Sequence, residues 1–150
     1  MPDLMETYFE NRQVVQPNHT NALGTAHGGN VMKWMDTVGA LSAMRFAGER
    51  CVTARFDQVN FTRPIQVGQT TLIESYVYDA GRTSVRVRLR ASAEEPTTGK
   101  VEQTTESYAV YVAIDEDREP VTVPDLTVST EDGEDLKRRA LEGEADRDRS

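Results

Sequence analysis

The chain has a single cysteine and two histidines in 150 residues. The lone Cys51 excludes an intrachain disulfide and is expected to be a small core residue at the start of a strand. So few thiol and imidazole groups also exclude a zinc-ligand cluster. Lysine is scarce, with three against fourteen arginines. No apolar run reaches the roughly 18 residues that a membrane-spanning helix requires. The N-terminus lacks a basic stretch followed by an apolar one, so neither a span nor a signal peptide is expected, and the expected location is cytoplasmic. A basic face, which nucleic-acid binding would need, is missing as well.

The net charge of −8 is unevenly distributed. Residues 115–150 hold thirteen acids and six bases, whereas residues 1–114 hold twelve and eleven. The expected organisation is therefore one near-neutral domain over 1–114 and an acidic tail over 115–150. Within the tail, residues 130–150 read as solvated or disordered, or as a short charged helix around Leu136, Ala140 and Leu141.

What the chain does have is one stretch apolar around most of a helical circumference, residues 27–46 (HGGNVMKWMDTVGALSAMRF). Such a helix is expected to be buried, with Gly48 as its C-cap. Around it the apolar period is two. Residues 5–15, 51–62, 70–79, 84–91 and 100–114 read as strands, and Val85, Val87, Leu89 and Ala91 alternate with Arg86, Arg88 and Arg90. Strand, buried helix and four strands on short turns predict an α+β fold. Its form is a curled antiparallel sheet of about five strands around one central helix.

Three features of this stretch point to chemistry. Asp36 is a carboxylate on a largely apolar helix, with Gly29, Met32, Lys33, Gly39, Ala40 and Ala43 at helical spacing. An ionised acid there is costly unless something offsets it, and a structural role bonded to a nearby loop or to Lys33 is the alternative. The first helical amides have no intrahelical partner and carry the positive end of the helix dipole. Gly28 and Gly29 leave them unshielded, so a carbonyl oxygen gaining charge could rest there; a tight turn that needs glycine is the plainer reading. Upstream lies a polar loop with Asn18, His19, Thr20, Asn21 and Thr25, which turn chemistry alone can also explain.

Spacing adds a constraint. At 1.5 Å per residue, Gly28 and Asp36 on one helix stand about 12 Å apart along its axis. One reacting carbonyl cannot touch both. A site that uses both must take the helix start from one subunit and the carboxylate from another, so an obligatory dimer is expected.

The segments PNHTNALGTAHGGNVMKWMDTVGA (17–40), VNFTRPIQVG (59–68) and GRTSV (81–85) together resemble the hotdog-fold acyl-CoA thioesterases. The resemblance is to the acyl-CoA hydrolase branch that holds brain-type acyl-CoA hydrolase and its bacterial relatives, and it covers about residues 5–114. It implies hydrolysis of fatty acyl-CoA to free acid and coenzyme A. By position, Asp36 falls at the catalytic carboxylate, general base or nucleophile, and Asn21 at a polar partner from across the dimer interface. Gly28 falls at the amide that polarises the thioester carbonyl, and His27 at a hydrogen-bonding residue just before it. Gly29, Asn60, Arg63, Arg82, Thr83 and Ser84 fall on coenzyme A-facing segments, although Arg63 is equally a surface charge. The resemblance also implies a trimer of dimers.

The chemistry agrees with the residue types. Thioester hydrolysis needs a base or nucleophile, oxyanion donors and a slot for an extended chain. It requires no metal or cofactor, because coenzyme A is part of substrate and product, and neither a nucleic-acid nor a membrane partner is expected. Two other readings of the same residues remain: an acyl-CoA-binding or sensing domain without catalysis, and a hydratase or dehydratase on the same fold.

Overall fold

A computed structural model describes residues 1–149. Five strands form one sheet: β1 (Phe9–Val14), β2 (Arg50–Phe56), β3 (Thr70–Ala80), β4 (Ser84–Glu94) and β5 (Val101–Ile114). Every pairing is antiparallel, and the spatial order is β1-β3-β4-β5-β2. The sheet curls around helix α1 (Gly28–Ala47), as the change of period from 3.6 to two predicts. A second helix, α2 (Glu131–Arg149), lies on the opposite face.

Helix α1 is delimited by its own sequence. The His27 imidazole caps its start by accepting from the Gly29 amide. Gly48 ends it in the left-handed conformation (φ 68°), donating to the Met44 carbonyl, and Arg45 complements the dipole in the last turn. Val31, Met35, Val38, Ala43 and Phe46 pack onto the inward residues Ile73, Val77, Val85, Val87, Leu89 and Tyr111. A buried polar seam ties helix to sheet: Ser42 Oγ donates to the Thr7 carbonyl at 2.7 Å, and Ser75 Oγ to that of Val38 at 3.1 Å.

Three sequence expectations need correction. Helix α1 is not buried all round within one chain, since Met32 (39%) and Leu41 (44%) are exposed. The strand expected over 5–15 begins only at Phe9. Asp3 caps residues 4–7 into a single 3-10 turn, whose Thr7 hydroxyl accepts from the Val77 amide. The strand expected over 51–62 ends at Phe56. Beyond it the chain arches over the start of α1, fastened to β5 by the amides of Asp57 (to the Tyr108 carbonyl) and Thr62 (to that of Thr104).

Of the alternatives for residues 130–150, the structure has the helix. Thr130 receives the Gly133 amide on its hydroxyl, and Glu131, Asp132 and Glu134 occupy the first turn, where the dipole favours acids. Ala140 is fully buried beneath it against Leu4, Tyr76, Tyr78 and Tyr108, with Leu136 packed alongside. Ser150, at the end of the acidic tail, lies outside the described residues.

Candidate active site

Asp36 projects from α1 half-buried, and two hydroxyls converge on it. Thr53 Oγ1 donates to its Oδ1 at 2.8 Å, and the Tyr111 hydroxyl lies 2.9 Å from Oδ1 and 3.1 Å from the Asp36 carbonyl. Thr53 and Tyr111 face each other across the β2–β5 ladder, and the register of β2 breaks immediately after Thr53. Oδ2 accepts from none of the described residues. Burial foremost, and then the Asp36 charge and hydrogen bond, push the Tyr111 phenol far above its ordinary value, so it remains a donor. Neither hydroxyl was singled out from the sequence: Tyr111 reads as one more apolar position of an alternating strand, and Thr53 as a surface one.

Gly39, Ala40 and Ala43 make a stripe of small residues beside Asp36. At Gly39 they admit a side chain. A Cβ there would lie 2.5 Å from the Tyr111 hydroxyl oxygen and 2.9 Å from Leu89 Cδ2. The stripe makes room for the ring that reaches Asp36.

At the start of α1 the two glycine amides differ. Gly29 N is taken by His27 Nδ1 at 3.0 Å, which removes it as an open donor. Gly28 N has no acceptor among the described residues. It borders a cavity of about 330 Å³ lined by Asn21, Thr25, Val31, Phe61, Arg63 and Ile65, among others. A Cβ at Gly28 would come within 3.1 Å of the Phe61 ring, so a side chain there would crowd the arch. Asn21 holds its own loop: its Oδ1 accepts from the amides of Leu23 (2.9 Å) and Thr25 (3.3 Å), and its Nδ2 donates to Thr25 Oγ1.

The remaining candidates stand elsewhere. Arg63 lines the cavity while pairing with Glu102 at 3.2 Å, and Asn60 accepts from Gln58 on the exposed arch. Arg82, Thr83 and Ser84 form the β3–β4 turn, closed by the Gly81 amide on the Ser84 carbonyl. The Arg82 carbonyl accepts from Val123 and that of Thr83 from Ala113. The structure thus brings Asn21, Gly28 and Arg63 together and keeps Asp36 and the 81–84 turn apart from them. Of the apolar residues Met32, Met35, Leu41 and Phe56, Met35 is a fully buried core residue and Phe56 packs against the core. Only Met32 and Leu41 open outward. Cys51 is half-buried, and burial with the nearby Glu49 charge pushes its thiol up to about 11.

The thioesterase superfamily model matches residues 23–100, which include the α1 start, Asp36 and the arch. The chain belongs to the hotdog-fold acyl-CoA thioesterase family. It is 35% identical over 118 residues to YkhA of Bacillus subtilis, by name an uncharacterized acyl-CoA thioester hydrolase, covering 79% of this chain and 69% of the relative. The Staphylococcus aureus acyl-CoA hydrolase, solved with butyryl coenzyme A, coenzyme A and coenzyme A disulfide, superimposes with a TM-score of 0.87 at 27% identity, over 98% of this chain and 90% of that one. Variants of that hydrolase have also been solved in which an aspartate, an asparagine and a threonine are each replaced by alanine. An apo-hexameric acyl-CoA thioesterase superimposes with a TM-score of 0.86 at 34% identity, over 99% and 95% of the two chains. This hotdog enzyme is a thioesterase. Among its described residues no helix is long and apolar enough to cross a membrane, and no group of His, Cys, Asp and Glu is placed to hold a metal.

Proposed function

We propose that this thioesterase hydrolyses fatty acyl-CoA to the free acid and coenzyme A in the cytoplasm, at a site shared by two copies of the chain. The observation that carries this reading is the division of α1 into two half-sites. The open Gly28 amide borders a cavity at the helix start, and Asp36, two turns on, does not line that cavity and has one oxygen uncommitted. Gly28 polarises the thioester carbonyl and receives its developing charge, aided by the helix dipole. Asp36 Oδ2 of the other copy takes the proton of the attacking water, or attacks the carbonyl itself to give an acyl anhydride that water then hydrolyses to the free acid. On either route the sulfur of coenzyme A leaves with a proton as the free thiol. Asn21 orients water or substrate, His27 shapes the helix start, and Gly29, Asn60, Arg63, Arg82, Thr83 and Ser84 lie along coenzyme A.

Several observations support a second copy and these roles. Met32, on the same face of α1 as Asp36, and Leu41 are exposed, and so is Val52 (46%) on the edge strand β2. Asn21, Asp36 and Thr53 are spaced along this chain as are the asparagine, aspartate and threonine replaced in the Staphylococcus aureus hydrolase. A trimer of dimers is part of the proposal, given the apo-hexameric neighbour. The reaction written here draws on no resident metal or cofactor.

Release of free thiol from a panel of acyl-CoAs, beginning with butyryl-CoA, tests this reading. Asp36→Ala is expected to lower kcat by about 10²–10⁴-fold, the range for loss of a general base, and Asn21→Ala to lower it less. Binding of acyl-CoA without turnover would identify a sensor, and addition of water to an enoyl-CoA a hydratase. Sedimentation should find a dimer or a multiple of it, and a monomer that turns over would refute the shared site.

A further inference from the structure

Resting on the role proposed for Asp36, we infer that Tyr111 is a positioning residue for that carboxylate and that Gly39 is the clearance that lets it act. Tyr111 is fully buried, yet its hydroxyl is not stranded in the core. It reaches back to α1 and meets Asp36 twice, at the carboxylate and at the carbonyl, its single proton shared between them. Its cross-strand partner Thr53 supplies the second donor to the same oxygen, at 2.8 Å. Two donors from neighbouring strands hold Oδ1, which fixes the plane of the carboxylate and leaves Oδ2 to the substrate side.

The two donors are secured differently. Thr53 is exposed, stands beside a register break, and its hydroxyl can turn to solvent or to substrate. The Tyr111 ring is locked in the core against α1, and its hydroxyl occupies the space that a side chain at residue 39 would need. A phenylalanine would fill the same core volume, so packing alone does not call for the hydroxyl. The hydroxyl's partner is Asp36, and the phenol stays protonated well into alkaline pH. It therefore keeps donating while the carboxylate is charged, which stabilises one orientation of that charge.

The test is Tyr111→Phe in the full-length chain, read as thiol release from butyryl-CoA alongside calorimetric counting of coenzyme A sites. The expected result is a kcat lower by about tenfold, the loss of one hydrogen bond to a charged group, with KM and the number of sites unchanged. A kcat within about twofold of the unaltered protein, far less than one hydrogen bond is worth, would overturn the inference. A kcat loss matched by an equal loss of coenzyme A sites marks a folding defect, and the inference is then overturned if Gly39→Ala leaves kcat within about twofold. Gly39→Ala keeps the phenol but displaces it from Asp36 and should give the same kcat loss, so it answers the question where Tyr111→Phe does not fold. Absence of thiol release by the unaltered protein would overturn the inference together with the functional reading. Release within about twofold of normal in Tyr111→Phe, together with its loss in Asp36→Ala, would overturn the inference alone.

Discussion

The two faces of the sheet are built from different materials. The inner face, against α1, is mainly Val, Leu, Ile and Ala, with Ser75 bonded to the Val38 carbonyl and one tyrosine, Tyr111, whose hydroxyl serves Asp36. The outer side, under α2 and the N-terminal turn, carries the other four tyrosines, Tyr8, Tyr76, Tyr78 and Tyr108. Among them runs an ion-pair ladder of Arg90 with Glu74 (3.1 Å), Arg88 with Glu106 (2.8 Å) and Arg86 with Glu144 (3.2 Å). Arg88 also donates to the Tyr76 hydroxyl at 3.0 Å, and Tyr76 in turn donates to the Leu136 carbonyl of α2. The inner face holds the chain by excluding water and also carries the candidate chemistry. The outer one is a polar, aromatic seam that attaches the C-terminal helix.

If that contrast holds, a change inside should cost most. Leu89→Ala empties a fully buried position beside α1, and a loss of about 2–5 kcal/mol is expected in urea unfolding. On the outer face, Glu106→Gln removes the carboxylate from a mostly buried Arg88 that keeps its Tyr76 contact. A smaller loss of about 1.5–3 kcal/mol is expected, with kcat of the folded protein unchanged. A change in kcat equal to that of an inner-face variant would erase the distinction between the faces.

Alkaline unfolding sharpens the comparison through one residue. Burial chiefly pushes the Tyr108 phenol up to about 12, against about 10 in an unfolded chain. The folded state thus holds its proton where the unfolded state has released it. Stability should be level below the ordinary tyrosine value and fall as pH rises toward 12. The Tyr108 hydroxyl is buried without a hydrogen-bond partner among the described residues. Tyr108→Phe should therefore leave Tm near neutrality unchanged or slightly raised and make the alkaline decline in a thermal series shallower, the other four raised tyrosines keeping the rest of it. The smallest effect is expected at the exposed helix pair of Arg138 with Asp135, where Arg138→Ala should shift stability by no more than about 0.5 kcal/mol.

The same contrast explains what could be read from the chain. The inner face declares itself locally: the period of α1, the Gly48 cap and the alternation of Val85, Val87, Leu89 and Ala91 each need only a short window of sequence. The outer face does not, because Arg86, Arg88 and Arg90 look like a solvated edge until Glu74, Glu106 and Glu144 are brought to them from other elements. Leu136 and Ala140 look too sparse to order a helix until the tyrosines of β3 and β5 receive them. Gly28 and Asp36 were legible as candidates because a glycine pair and a lone acid stand out on an apolar helix. Thr53 and Tyr111 were not, since their relevance depends on a strand register that no local pattern encodes. Nor could spacing tell the two glycine amides apart, as only the fold shows His27 occupying one of them.

The arch over the start of α1 has a dynamic corollary. It is stitched to the sheet at Asp57 and Thr62, while the amides of Gln58, Val59, Asn60 and Phe61 form no backbone bond to it. Deuterium should therefore enter those four positions well before the strands beside them. One wall of the cavity, the one that carries Phe61, can breathe without unzipping the sheet, while the helical wall opposite stays locked.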